Sequence, residues 1–557
     1  MKKQSFLYGS AILILSAVIT KIIGALFRIP LANFLGGTGM GYFSCAYGLF
    51  MPIYAISVTG LPAAVAKLTA ENSALKKYSD IRKIKHVSLV IFSLTGLGSS
   101  IIIVLAAYPF CKYIAGDINA YPAVVAIAPS VFFGCIMSVY RGYYEGLRNM
   151  FPTAVSQVIE GLIKLAVGLG LAFYALKTAY EKPELFLDII RRKDITAEQA
   201  ALPYAAAAAV LGITISTVAG TLFLILRDKI SGDGISYAQL KQNPAVNSFG
   251  RTAKNLLRIV IPISIGALVT NLTSLIDLAT IIRSLKIAVI NSPEKFARYI
   301  TPELTYEMLP NFIFGSFTGL AVSVFHLIPS FTNMFGKSVL PAISEAFAEN
   351  NKSHISDAIY NVIFTTGFIA VPSGIGISVL SEQILYLLFP SKTAEISVCY
   401  SSLAILGVGV IFLSLSMSLF AVFQAAGKAE IPVIIMLAGV IVKLAGNTFL
   451  VPIAGLNVSG AAISTLLCYI IIFILSITVV ANTAEINIKQ IALLLFKISF
   501  SALLCGLGAY LSNNILSRYF SSSLVLLVSI AVGGCIYILS THLLGILTKS
   551  TLKMLIS

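Results

Sequence analysis

Fourteen runs of apolar residues, parted by short polar gaps, constrain this chain more than anything else in it. They fall near 7 to 27, 41 to 66, 87 to 110, 122 to 140, 153 to 176, 203 to 226, 259 to 282, 311 to 333, 359 to 380, 398 to 424, 432 to 454, 459 to 482, 492 to 514 and 522 to 546. Each is about long enough to cross a hydrocarbon layer of ~30 Å as a helix. A backbone inside lipid must satisfy its own hydrogen bonds, so only helices and closed barrels span a bilayer. Continuous apolar runs, without strict alternation, select helices. With 57% hydrophobic and 11% charged residues and a mean hydropathy of +0.92, the 557 residues leave no room for a separate water-soluble domain. The expected fold is therefore all-α and polytopic, with about 14 transmembrane helices. Lys2-Lys3 before the first run imitates a secretion signal, but Lys21 stands where a small-residue cleavage site would lie. The run reads as an uncleaved first helix.

The chain also repeats itself. Leu61-Pro62-Ala63 at the close of the second run recurs as Leu340-Pro341-Ala342 at the close of the eighth. Lys164-Leu165-Ala166 in the fifth recurs as Lys443-Leu444-Ala445 in the eleventh, again at an offset of 279. Arg148 and Pro152 match Lys428 and Pro432 at 280. Two coincidences at one offset, on corresponding runs, point to duplicated six-helix halves. Six is even, so both halves enter from the same side. Parallel repeats about an axis along the membrane normal suit alternating access through a central cleft. The expected domains are a six-helix lobe at 1–240, a second at 241–484 and an appended helix pair at 485–557. Arg28 matches Arg283 at an offset of only 255, which fits a longer outer segment, Ser284 to Pro310, in the second half.

Basic residues give the orientation. About 22 Lys and Arg lie on the side of the termini against about 11 on the other, so both termini are expected in the cytoplasm and the chain in the cytoplasmic membrane. Topology and attraction to anionic membrane lipids account for the net charge of +16 without nucleic acid as a partner.

Charges inside the runs carry the functional signal. Lys21 and Arg28 are seven residues apart on the first helix, within roughly 20° of each other around its axis. A charge in the lipid core costs at least ~2.5–3.5 kcal/mol, so a face bearing two cations should line water, a partner or an anionic ligand. Glu160 and Lys164 are spaced for an internal ion pair on the fifth helix, acid first. Lys443 has Gly439 one turn before it, and its expected partner is Asp277 on the seventh helix. Arg283, at the end of that helix, faces either a cavity or the interface.

The Thr20-Lys21-Ile22-Ile23-Gly24 stretch leading to Arg28, Gly39-Met40-Gly41 entering the second run, and Gly142-Tyr143-Tyr144-Glu145-Gly146-Leu147-Arg148-Asn149-Met150-Phe151-Pro152-Thr153-Ala154 before the fifth carry a resemblance. The chain resembles the lipid II flippases of the MurJ type and their stage V sporulation protein B branch, within the multidrug/oligosaccharidyl-lipid/polysaccharide (MOP) exporters, whose fold is MATE-like. The resemblance implies a flippase that moves an undecaprenyl-diphosphate-linked peptidoglycan precursor by alternating access. It implies that Lys21 and Arg28 contact the diphosphate, with Arg283 and Lys443 as second choices, and that the last helix pair forms a groove for the lipid tail. Some relatives bind sodium between an acid on the seventh helix and polar residues one turn apart on the eleventh. Here Lys443 and Asn447 have that spacing, and the lysine ammonium stands where a metal would, so no metal and no cofactor is expected. Cell-wall synthesis proteins are conceivable partners. The second and eighth runs lack the arginines often found in the family, and His326 is the nearest ionisable group in the eighth.

An enzyme is not expected. His86, His326, His354 and His542 are scattered, no HExxH or phosphate-loop pattern occurs, and the seven cysteines lack CxxC spacing. The alternatives are a flippase for another polyprenyl-linked oligosaccharide, such as a capsule or teichoic unit, and a non-transport subunit of wall synthesis.

Overall fold

The computed structural model describes residues 6–184, 196–242, 247–301, 304–338, 343, 347, 352–428, 430–484, 486–520, 522–548 and 551. Among these, β-type pairing is limited to an isolated bridge between Thr301 and Leu304. Thirteen helical runs are long and apolar enough to cross a membrane, and the first, Leu15–Ala74, has 60 residues. As one straight helix it would extend ~90 Å, three times the ~30 Å core. Gly36, at φ 60 and ψ −170, breaks it, so it supplies two crossings and the total is fourteen.

Packing divides the chain into two compact units, Met1–Ala279 and Thr280–Ser557. The first holds α1 (Phe6–Tyr54), α2 (Leu61–Ala74), α3 (Tyr78–Pro109), α4 (Tyr121–Gly146), α5 (Phe151–Ile163), α6 (Leu169–Glu181) and α7 (Ala197–Ser231), with the first part of α8 (Phe249–Asn291). That part of α8 belongs here because its backbone at Val260 lies against Gly60, and Leu278 against Gly48. The second unit continues from Thr280 through α9 (Leu309–Ser316), α10 (Leu327–Ser338), α11 (Lys352–Val379), α12 (Thr393–Ala425), α13 (Glu430–Leu450), α14 (Val458–Ala484), α15 (Ile488–Leu516) and α16 (Ser522–Leu543). The last two pack on α11. Leu494, Ile498 and Ala502 bury themselves against Phe364 and Val371, and the Tyr537 hydroxyl donates to the Phe368 carbonyl at 2.9 Å.

The duplication is visible in backbone hydrogen bonds. After α4 the amides of Leu147, Arg148 and Asn149 donate to the carbonyls of Tyr143, Glu145 and Tyr144. After α12 the amides of Ala426, Gly427 and Lys428 donate to Val422, Gln424 and Phe423. Every partner is displaced by 279. Arg148 (φ 57) and Gly427 (φ 74) occupy the same left-handed position, so this turn keeps the register of 279, and Arg148 corresponds to Gly427, not to Lys428 as the sequence match suggested. Leu340-Pro341-Ala342 lies outside the described residues.

The Gly-Tyr-Tyr-Glu-Gly stretch acts as a clasp within the first unit. A Cβ on Gly142 or Gly146 would strike the α2 backbone at Pro62 or Ala66, so the glycines set the approach of α4 to α2. The tyrosines between them reach the end of α7: Tyr143 donates to Asp233 at 2.9 Å and Tyr144 to Asp228 at 3.1 Å. From α3, Arg82 grips Asp233 through two nitrogens at 3.0 and 3.2 Å, and Lys85 pairs with Asp228 at 2.8 Å. Burial alone would raise the Asp233 carboxyl, but the Arg82 guanidinium, the Ile235 amide and the Tyr143 hydroxyl outweigh it and hold the group below the usual carboxylate range.

Two predictions follow from this packing. Gly212 sits backbone to backbone on Gly168, whereas a Cβ on Gly170 meets nothing within 4 Å. Gly212→Ala should cost about 1–3 kcal/mol by overpacking and lower the melting temperature in detergent, while Gly170→Ala leaves it equal or higher. The folded pKa of Asp233 lies below its unfolded value of ~3.9. Its stabilisation is therefore complete above that pH and is lost as pH falls through the folded value. Asp233→Asn should flatten the acid limb of a melting-temperature profile. Arg82→Ala should cost only about 1 kcal/mol at pH 7, because the Arg82 side chain is 45% exposed.

Candidate functional site

The cations of the first unit gather on three helices. On α1, Ile23 packs against Gly161 and Phe27 against Gly168, fixing that helix on α5 and α6. Ser16 adds a hydrogen bond to Gln157 at 3.0 Å. Lys21 and Arg28 stand roughly 110–150° around the helix from that contact face, so they flank it and are not pressed into it. Lys21 is exposed and Arg28 half-buried, with its Nε fully covered.

Lys164 comes to them from the neighbouring helix. It opens a wide helical turn, Lys164–Gly168, between α5 and α6. Wide turns of this kind concentrate at functional sites and change the direction of the side chain that begins them. Here the Lys164 ammonium lies over the Phe27 ring, 5.5 Å from its centroid. Lys21, Arg28 and Glu160 are all within electrostatic range of it.

Glu160 does not form the expected ion pair with Lys164. Its carboxylate binds the Arg141 guanidinium of α4 at 2.9 Å, and Arg141 Nε also donates to Ser156 Oγ at 2.9 Å. The pattern of i and i+4 holds only for a regular helix, and the wide turn starts at Lys164 itself. Arg141 escaped the sequence reading because the fourth apolar run ends at Tyr140. The helix continues to Gly146, so Arg141 belongs to its interior face.

An aromatic ladder runs beside these charges. Beyond the Gly36 break, Phe43, Tyr47, Phe50 and Tyr54 recur at helical spacing, with successive ring centroids 5.0, 5.9 and 4.9 Å apart. Phe27 joins it at 6.3 Å from Phe43. Tyr47 is within electrostatic range of Arg28 and Glu160, and Tyr54 of Glu160 and Arg141. Such a wall combines apolar faces, phenolic hydroxyls and converging cations. It suits an amphipathic anion better than a free inorganic ion.

In the second unit, Lys443 and Asn447 are both buried one turn apart on α13. The Asn447 amide donates to Thr280 Oγ1 of α8 at 3.0 Å. Arg283, on the same helix as Thr280, is exposed. Asp277 is half-buried and belongs to the first unit. His326 is exposed where the helix breaks between Phe325 and Leu327. Among the described residues no group of three or more His, Cys, Asp or Glu could hold a metal ion.

The Arg141–Glu160 pair can be tested by a double-mutant cycle. Arg141→Ala leaves a partly buried carboxylate and should destabilise more than Arg141→Ala with Glu160→Gln. A coupling of about 1–3 kcal/mol is expected from thermal unfolding in detergent.

Residues 6–347 match the family described as Polysaccharide biosynthesis protein, and residues 316–449 match MatE. The chain is 25% identical to Lipid II flippase MurJ of Bacillus subtilis (strain 168), over 98% of this chain and 96% of the relative. It is 24% identical to Stage V sporulation protein B of the same organism, over 99% of this chain and 98% of that one. Among solved structures, Lipid II flippase MurJ in an inward closed conformation superposes with a TM-score of 0.66 at 14% identity, covering 95% of this chain and 98% of that one. The chain is thus a multi-pass membrane protein with the fold of the MOP superfamily, and it belongs to the polysaccharide biosynthesis protein family.

Proposed function

We propose that this protein is a flippase for lipid-linked saccharides, with lipid II as its cargo. It would work by alternating access in the cytoplasmic membrane, with both termini in the cytoplasm. The observation that carries the reading is that Lys21 and Arg28 lie within electrostatic range of Lys164 in the first unit, beside the Phe27 ring that Lys164 covers. A diphosphate brings about two negative charges and needs several converging donors, which this cluster supplies. Arg141 and Glu160 neutralise each other beside it. In this reading Arg283 and Lys443 are secondary contacts. Glu160, Lys164, Asp277 and Asn447 act in gating. The functional partition is 1–240, 241–484 and 485–557, with the last helix pair serving the lipid tail.

The relatives named as flippases support transport, not catalysis. A second cargo, another polyprenyl-diphosphate-linked saccharide, is favoured by the second and eighth runs, which lack the arginines frequent among lipid II carriers. Both readings share the diphosphate.

Complementation of a strain depleted of its lipid II flippase separates them. Wild type should restore growth, and Lys21→Ala with Arg28→Ala should abolish rescue at equal membrane abundance. Loss of about 1–3 kcal/mol per charged contact corresponds to roughly 5- to 150-fold in transport for each. Rescue persisting in the double variant would defeat the diphosphate assignment. Failure of wild type to rescue would transfer the cargo to another saccharide.

A further inference from the structure

The outer segment that lengthens the second half is built, and it encloses a cleft. Between α8 and α9 the chain buries Phe296, Tyr299 and Leu304 at 1%, 9% and 9% exposure, giving the segment its own small core. The Thr301–Leu304 bridge and the Arg298 guanidinium, 4.6 Å over the Tyr299 ring, brace it further. Against this core lies a cleft of about 430 Å³, wholly inside the second unit. Lys286, Val289 and Ile290 form one wall, on a single face of the last turns of α8. Tyr306, Glu307 and Pro310, leading into α9, form the other.

The volume falls in the ~300–1,000 Å³ range of small-ligand sites. Ile290 is 76% exposed and Tyr306 43%, so apolar and aromatic surface is displayed at the mouth of a preformed hollow. The chemistry of the walls selects among ligands. The walls are mostly apolar, and an acyl chain would leave their ammonium and carboxylate unused. A simple anion has no use for Glu307. A saccharide ring has both apolar faces, which stack on an aromatic side chain, and a belt of hydroxyl and amide groups, which bond to carboxylate and ammonium.

We propose that this cleft is an exit-side subsite for one or two saccharide units of the cargo, distinct from the diphosphate cluster of the first unit. The proposal rests on the flippase reading for its side of the membrane and for the source of the saccharide. Its cargo contact would be with glycan alone. Binding therefore requires neither the diphosphate nor the lipid.

The chain has no tryptophan, so Tyr306→Trp places a single reporter at the cleft. In nanodiscs, a lipid-free and phosphate-free disaccharide of N-acetylglucosamine and N-acetylmuramic acid should shift its emission saturably. Adding Glu307→Gln and Lys286→Gln should weaken the apparent affinity at least tenfold. Saturation-transfer NMR of the same disaccharide with the unsubstituted protein reads binding without any substitution near the reporter. Absence of a saturable signal in both measurements would overturn the proposal, as would an equal shift from saccharide-free short-chain phospholipid. Lys21→Ala with Arg28→Ala should leave the disaccharide signal within twofold of wild type. Persistence of that signal alongside transport that is indifferent to both cations would sink the diphosphate reading and retain the cleft. Its loss in that double variant would overturn the separateness of the two sites.

Discussion

A cation at hydrocarbon depth must find a negative partner, reach water, or be displaced from the membrane, and this requirement organises the first unit. Lys21, Arg28, Arg141 and Lys164 lie on largely apolar helices, with Glu160 among them and Glu145 within electrostatic range of Arg141. The carboxylate goes to Arg141, whose planar fork reaches Ser156 as well. Lys164 is left to the face of Phe27, and two further cations stand nearby. Like charges held together in low dielectric repel one another. Under the proposed function, a polyanion entering the cluster would relieve that repulsion, so that binding and neutralisation would be the same event.

The clasp at the ends of α3, α4 and α7 shows the contrasting arrangement. There, two aspartates meet Arg82, Lys85 and two tyrosine hydroxyls, and every charge is answered within the unit. In the first cluster Glu160 is engaged by Arg141, whereas the clasp sets two aspartates against Arg82 and Lys85, with Arg227 6.0 Å over the Tyr144 ring beside them. Similar residue types thus serve a candidate site in one place and a fastening in the other.

Much of this was legible from sequence. Run lengths fixed the helix count, because a helix cannot cross ~30 Å with fewer than about 20 residues. The offset of 279 was visible in short tripeptides, and the structure recovers it in three successive backbone hydrogen bonds after α4 and after α12. The one-residue slip at Arg148 arose from matching charge with charge. The true equivalence is of backbone shape, a left-handed residue that glycine adopts freely and arginine at some cost. The partner of Glu160 was not legible, because i and i+4 spacing presupposes an unbroken helix and nothing in Lys-Leu-Ala-Val-Gly announces a wide turn. Arg141 was hidden by the same cause as any charge near a run's end: hydropathy stops at the charge, while the helix does not.

Wide turns also occur in the second helix of both halves, though not at equivalent positions. In the first unit the segment Ala55–Thr59 is followed by Gly60 and then by Leu61-Pro62 at the head of α2. In the second, Phe317–Ala321 is followed by a break at His326, with Leu327 and Pro329 opening α10. A wide turn weakens the hydrogen-bond ladder, and a proline just beyond it removes a further donor. The second helix of each half therefore carries a point of low bending stiffness, placed by different residues in the two units. Under the proposed function, lobes that rearrange around a cargo would bend at such points without unfolding.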